Sequence, residues 1–309
     1  MPAQDQTALG FYTGPALMTS AGRYTSLLRE LPGDVAGLAA VVQGLLMHVF
    51  WAQRYGVTFS DADQASLHIR PVEEMLEQIV ARDGRPLSVA REPGARLAVN
   101  CRHFTVLTVA MLRAQGKPAR ARCGFGGYFT RGFFEDHWVC EYWNAGQQRW
   151  ALADAQLDDR QRGWLGIDFD VTDVPRDRFV VAGQAWEHCR SGRADPAEFG
   201  LSAIGEAGDW WIAANLIRDA AALLNLELLV ADVWGAMPGP GDGIGDDLAA
   251  LLDRLAALTQ APDTSLPQLR ELCQGDDRLR VPPTVRNVMR GTDDLIQHSG
   301  TGARRSMSF

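Results

Sequence analysis

The run Asn100-Cys101-Arg102-His103-Phe104, continuing through Leu107 and Met111-Leu112-Arg113-Ala114-Gln115-Gly116-Lys117-Pro118-Ala119-Arg120, decides how this chain is read. Asn100 has N-cap chemistry, and Gly116 with Pro118 is a stop signal, so the spacing predicts a helix from Cys101 to about Gln115. Phe104, Leu107, Met111 and Leu112 mark its buried face. Cys101 then lies in the first helical turn, where free backbone N–H groups and the positive end of the dipole stabilise a thiolate. Arg102 and His103 are expected to add positive potential there. A lone buried cysteine is more often inert, so the case rests on partners further along.

Three strands are expected next, at about Ala119–Cys123, His137–Trp143 and Gln148–Asp154. Asn144-Ala145-Gly146-Gln147 supplies the turn between the last two. If Trp143 pairs with Gln148, each step back on one strand matches a step forward on the other, and His137 falls opposite Asp154. Directly opposed residues share a face of the sheet, while a one-residue slip separates them. A carboxylate beside an imidazole fixes its tautomer and stabilises the imidazolium. An imidazole beside a thiol at a helix N-terminus takes its proton. Together the three residue types have coherent roles in acyl transfer.

With these residues in place, the stretch from Asn100 to Arg120 resembles the nucleophile helix of the transglutaminase-like superfamily. Gly124 and Tyr128 lie where that family's next strand region would be. His137-Trp138-Val139-Cys140-Glu141-Tyr142-Trp143 resembles its histidine strand, and Trp150-Ala151-Leu152-Ala153-Asp154 its aspartate strand. The resemblance covers residues 95 to 160. It implies a papain-like α+β core, with a nucleophile helix packed on an antiparallel sheet, and an acyl-enzyme mechanism with Cys101 as nucleophile, His137 as base and Asp154 as its orienting group. Many family members have a glycine shortly before the cysteine and Asp-Pro-Thr at the aspartate. This chain has Val99-Asn100 and Asp154-Ala155-Gln156. The Cys-x-x-Cys pairs of the zinc-bearing peptide N-glycanase branch are absent.

The expected function is hydrolysis of an amide bond in a peptide, protein or small-molecule substrate. The alternatives are amide formation or transamidation on a small or carrier-bound substrate, and a catalytically idle binding or scaffold module. The oxyanion is expected to meet the Cys101 backbone N–H and a second donor from a side chain before Cys101 or from a strand; Gln43, Gln53 and Gln78 are upstream amides, and the sequence favours none of them.

The rest of the chain sets bounds. It has 309 residues, a formal net charge of −8 and five cysteines at irregular spacing. No basic stripe with interleaved aromatics occurs, which argues against nucleic acid. The apolar stretch Val35–Ala52 is broken by Gly37, Gln43, Gly44 and His48 and reads as a buried helix rather than a membrane span. With neither a secretory leader nor a disulfide framework, the expected compartment is the cytoplasm. No cofactor or metal is expected, and the oligomeric state stays open. The aromatics Trp138, Tyr142, Trp143 and Trp150 are expected in the core. Gly124-Phe125-Gly126-Gly127 reads as a bulge or flexible loop.

Helices are also expected over Asp34–Tyr55, Val72–Ala81 with Pro71 at its first position, Asp209–Val230, Asp246–Leu258 and Leu266–Cys273, with a loop over 83–98. The domain organisation expected is an N-terminal segment 1–33, a catalytic core 34–165, a mainly helical region 166–300 and a loose tail 301–309.

Overall fold

The computed structural model describes residues 8–296, so the expected loose tail lies outside the described residues. The fold mixes helix and sheet. Helix α1 (Val35–Leu45) starts where expected, with the Asp34 side chain accepting the Gly37 N–H at 2.8 Å. It ends ten residues earlier than the sequence suggested. Gly44 packs so closely on Ala90 that a Cβ there would lie 2.9 Å from the Ala90 Cβ. The chain then extends into a three-residue strand, β1 (Leu46–His48). Helix α2 (Val72–Arg82) has Pro71 one position earlier than predicted, at the N-cap. The expected loop over 83–98 ends in a strand, β2 (Leu97–Val99), which pairs in parallel with β1.

Helix α3 (Cys101–Ala114) is the centre of the molecule. Every residue from Cys101 to Arg113 is buried. A helix covered on all sides belongs in the interior. Gly116, at φ +76°, ends it in the left-handed conformation that glycine adopts at no steric cost.

Two long antiparallel strands come next, β3 (Ala119–Thr130) and β4 (Phe133–Asn144), running from Ala119 opposite Tyr142 to Gly126 opposite Glu135. The register shifts between Gly126 and Thr130, so the expected bulge is present. Strand β5 (Arg149–Ala153) pairs with the far half of β4.

The hairpin register differs from the one expected. Trp143 lies opposite Trp150 rather than Gln148, and Asn144 opposite Arg149. Gln148 is absorbed into the turn at φ +51°. The difference is two residues. Side chains alternate with period two, so an even shift keeps each residue on its face. Cys140 pairs with Ala153, so one further step would set Asp154 beside Val139, diagonal to His137.

The region after 165 contributes strands to this same sheet. Helix α4 (Asp159–Leu165) leads to β6 (Phe179–Val181), which pairs with β3, and helix α5 (Ala182–Arg190) leads to β7 (Phe199–Leu201), parallel to β4. Strand β8 (Glu206–Ala207) closes the edge. Helix α6 (Asp209–Leu223) ends seven residues before the expected Val230; Asn225 turns the chain at φ +64°. Strand β9 (Asp232–Val233) joins a small sheet with β10 (Thr284–Asn287) and β11 (Thr292–Leu295), which the sequence pattern did not reveal. Between them lie helices α7 (Asp246–Gln260) and α8 (Pro262–Gly275).

Buried ion pairs tie these layers together. Arg122 on β3 grips Asp219 on α6 through two hydrogen bonds of 3.0 and 2.8 Å, and Asp219 also accepts the Cys123 N–H. Arg120 bridges Glu141 on β4 and Asp263 on α8, both at 2.6 Å. Among the described residues no helix is long and apolar enough to cross a membrane.

Candidate active site

Cys101 is the first residue of α3, with its own side chain 7% exposed. The short β2 aims the chain into the helix. Asn100 occupies the N-cap position, but its side-chain oxygen lies 2.8 Å from His103 Nδ1 rather than capping a backbone N–H. Of the next two residues, His103 adds no positive charge and Arg102 spends its donors elsewhere. The Arg102 guanidinium binds the Glu227 and Ile69 carbonyls. Burial, with the Arg102 charge, holds the His103 ring well below its ordinary pKa and therefore neutral. The helix terminus itself remains as the source of positive field.

The structure brings the three predicted residues together. His137, on β4, lines the same cleft as Cys101, and the thiol is near enough to contribute to the rise in the histidine's pKa. Its Nε2 lies 2.8 Å from Asp154 Oδ2, just past the end of β5. Nδ1 is thereby the ring nitrogen left free of Asp154. Burial alone would lower the His137 pKa. The Asp154 carboxylate, its hydrogen bond to the ring and the nearby Cys101 thiol outweigh it and raise the value to about 10. The imidazolium is thus the favoured form at neutral pH.

Asp154 is held from three sides. The Tyr128 hydroxyl donates to Oδ2 at 2.7 Å, the Gln156 N–H donates to Oδ1 at 3.1 Å, and the Asp154 N–H donates to the Val171 carbonyl. Sequence gives Tyr128 a place in the strand after the helix but no role. That role depends on the bulge after Gly126, a feature with glycine as its only sequence signal.

The site opens into a cleft of about 550 Å³. Cys101, His137, Asn100, His48 and Gln156 line it, together with Trp51, Phe129, Trp164, Leu201 and Met289. Trp138, Tyr142, Trp143 and Trp150 do not line it, in keeping with core packing. None of Gln43, Gln53 and Gln78 lines it either; Gln43 borders a much smaller cavity behind His48.

The cleft mouth is apolar. Phe50 is 57% exposed, Met289 64% and Trp164 39%, and Ile204 and Val288 sit next in sequence to lining residues. Trp51 and Trp164 stack with their ring planes 6° apart, and Arg54 lies over both. Such clusters of exposed apolar side chains mark binding sites more often than isolated ones do. Among the described residues, no group of three or more His, Cys, Asp and Glu side chains is placed to hold a metal ion.

No family model and no curated protein matches the chain. Two solved structures are similar to parts of it. One, from Cytophaga hutchinsonii, is provisionally described as a cysteine protease, with 16% identity and a TM-score of 0.32 over 55% of this chain and 44% of that one. The other is red sea bream transglutaminase, with 15% identity and a TM-score of 0.31 over 48% of this chain and 30% of that one. The chain spans less than half the length of either.

Proposed function

We propose that this protein is a thiol acyl-transfer enzyme that forms an acyl-enzyme at Cys101, most readily as a hydrolase of amide bonds. The observation that carries this reading is the hydrogen-bonded run Tyr128–Asp154–His137 opening onto a cleft that also holds Cys101 at a helix N-terminus. A structural His–Asp pair has no need of a cleft, nor of a thiol within it.

In this reading the thiol proton already rests on His137 as the imidazolium, and the Cys101 thiolate attacks the substrate carbonyl carbon. Asp154 holds the imidazolium in place. As the tetrahedral intermediate collapses, the C–N bond breaks and His137 gives its proton to the leaving amine. A water molecule, losing its proton to His137, then attacks the thioester. Collapse of the second intermediate breaks the C–S bond, releases a carboxylic acid and restores the thiolate–imidazolium pair. The apolar mouth favours a substrate with an aromatic or aliphatic group next to the scissile carbonyl.

The test is acylation by p-nitrophenyl acetate, with the adduct mapped by mass spectrometry. An acetyl group on Cys101, absent in His137→Ala, supports the reading. Acetylation spread over the other cysteines, or unchanged in His137→Ala, would sink it. Competition between water and hydroxylamine for the acyl group separates hydrolysis from transamidation.

A further inference from the structure

His48 shares the cleft with Cys101 although 53 positions away in sequence. The parallel pairing of β1 with β2 sets His48 beside Val99, and the Val49 N–H donates to the Val99 carbonyl at 2.9 Å. Two residues on from Val99 is Cys101. His48 is 7% exposed, and that exposure belongs to the cleft it lines. Its ring packs 5.4 Å from that of Phe50 at the mouth, and the charges of His137 and Asp154 act on it.

The tautomer is set by one hydrogen bond. The Phe50 backbone N–H donates to His48 Nδ1 at 3.2 Å. A backbone N–H only donates, so Nδ1 carries no proton, and in the neutral ring the proton sits on Nε2. Burial, reinforced by the His137 charge, keeps the ring neutral, its pKa pushed down to about 3. Among the described residues Nε2 has no protein partner, and it is not one of the sealed-off polar atoms. A neutral, fixed N–H donor thus stands in the nucleophile's cleft with its hydrogen bond unspent. A general base is not needed there, because His137 supplies one.

Resting on the acyl-transfer reading, we infer that His48 is the second oxyanion donor. Its Nε2–H and the Cys101 backbone N–H bind the carbonyl oxygen as negative charge develops on it. Donors fixed in advance act most strongly on charge that exists only in the transition state. Gln43, Gln53 and Gln78 lie off the cleft, and two of the other indole and amide groups that line it have other settings. Trp51 is stacked at the mouth, and Gln156 Nε2 is directed to Gln161.

Two reactions of the same thiol test the assignment. Acylation by p-nitrophenyl acetate builds an oxyanion; alkylation by iodoacetamide does not. In His48→Phe, Cys101 acylation is expected to fall by about 10²-fold while alkylation stays near the wild-type rate. His48→Gln, which restores a neutral N–H donor, is expected to recover most of the acylation. The assignment is overturned if acylation and alkylation fall together in His48→Phe, since the ring would then serve the thiolate or the fold. It is equally overturned if His48→Phe acylates normally, or if Trp51→Phe rather than His48→Phe loses acylation selectively. Absence of any acetyl group on wild-type Cys101 is a different failure: it removes the acyl-transfer reading itself, and the role of His48 with it.

Discussion

Tyr128 and His137 both place a hydrogen on Asp154 Oδ2, so the carboxylate that orients the imidazole is itself oriented by a phenol. Tyr128→Phe removes that donor while keeping the ring. Turnover is expected to drop by about 10- to 100-fold, in line with the loss of one hydrogen bond to a charged group, with little change in KM. Steady-state kinetics on an ester or amide substrate reads this directly.

His137 also ties stability to pH. Its folded-state pKa is raised from 6.5 to about 10. A raised value means the folded state binds the proton more tightly than the unfolded one. The resulting stabilisation is complete below about pH 6.5 and is lost as the pH rises through about 10. Calorimetry should therefore show the melting temperature of the wild type, relative to His137→Gln, declining from pH 6 to pH 10. A difference constant across that range would contradict the charge state assigned to the ring.

Residue types proved easier to read than their surroundings. The proximity of His137 to Asp154 is legible because strand alternation tolerates an even shift in the hairpin register. The place of His48 is not, because a single polar residue in an apolar run looks like an interruption of a buried helix. Only the parallel pairing with β2 gives it a place, and such pairing between two three-residue strands leaves almost no periodic signal.

Among the elements, the glycine-rich part of β3 carries an unusual load. A Cβ on Gly124 would lie 2.3 Å from the Val180 carbonyl oxygen and 2.8 Å from the Val181 Cα. Both atoms belong to the backbone of β6, so no side-chain rotation relieves the clash. Gly124→Ala is expected to push β6 away and destabilise the fold by about 2–4 kcal/mol, within the range of severe packing or strain effects. Chemical denaturation measures it, and a loss below about 0.5 kcal/mol would show that β6 yields freely. Because Gly124 pairs with His137 across the β3–β4 ladder, the same change should also slow Cys101 acylation. The helix from Cys101 and the outer halves of the two long strands are legible from the apolar pattern and the stop at Gly116, whereas the strands' continuation through residues 124–136 is not, because its glycines read as a bulge or loop. The end of α1 is not legible either, because it depends on the contact between Gly44 and Ala90, 46 residues apart.

Across the whole molecule, the sheet under the candidate site is completed by strands from beyond residue 165, and buried charge fastens the later helices to it. Asp219 is fully buried and satisfies two donors of Arg122 and one backbone N–H. Asp219→Ala leaves a buried guanidinium facing Glu141 alone, a loss expected to cost about 3–5 kcal/mol. Replacing Arg122 and Asp219 together with Met and Leu should cost much less than the single change. Denaturation of the three variants tests this, and equal losses would show that the pair is not coupled. None of this was visible in the sequence, where Arg122 and Asp219 stand 97 positions apart and nothing in local pattern links them. The mixed α+β character was visible, since it comes from periodicity alone.

The central claim is that His137 holds Cys101 as a reactive thiolate. Its most direct test is the rate of iodoacetamide alkylation at Cys101 against pH, mapped by mass spectrometry, in the wild type and in His137→Ala. The account predicts rapid reaction at pH 6, well below the ordinary thiol pKa of about 8.5, and its loss in His137→Ala. Cys189, half-buried with its thiol pushed up to about 12 by burial and nearby acidic groups, serves as the internal reference. If Cys101 reacts no faster than Cys189, and His137→Ala changes nothing, the thiolate–imidazolium pair does not exist in this protein.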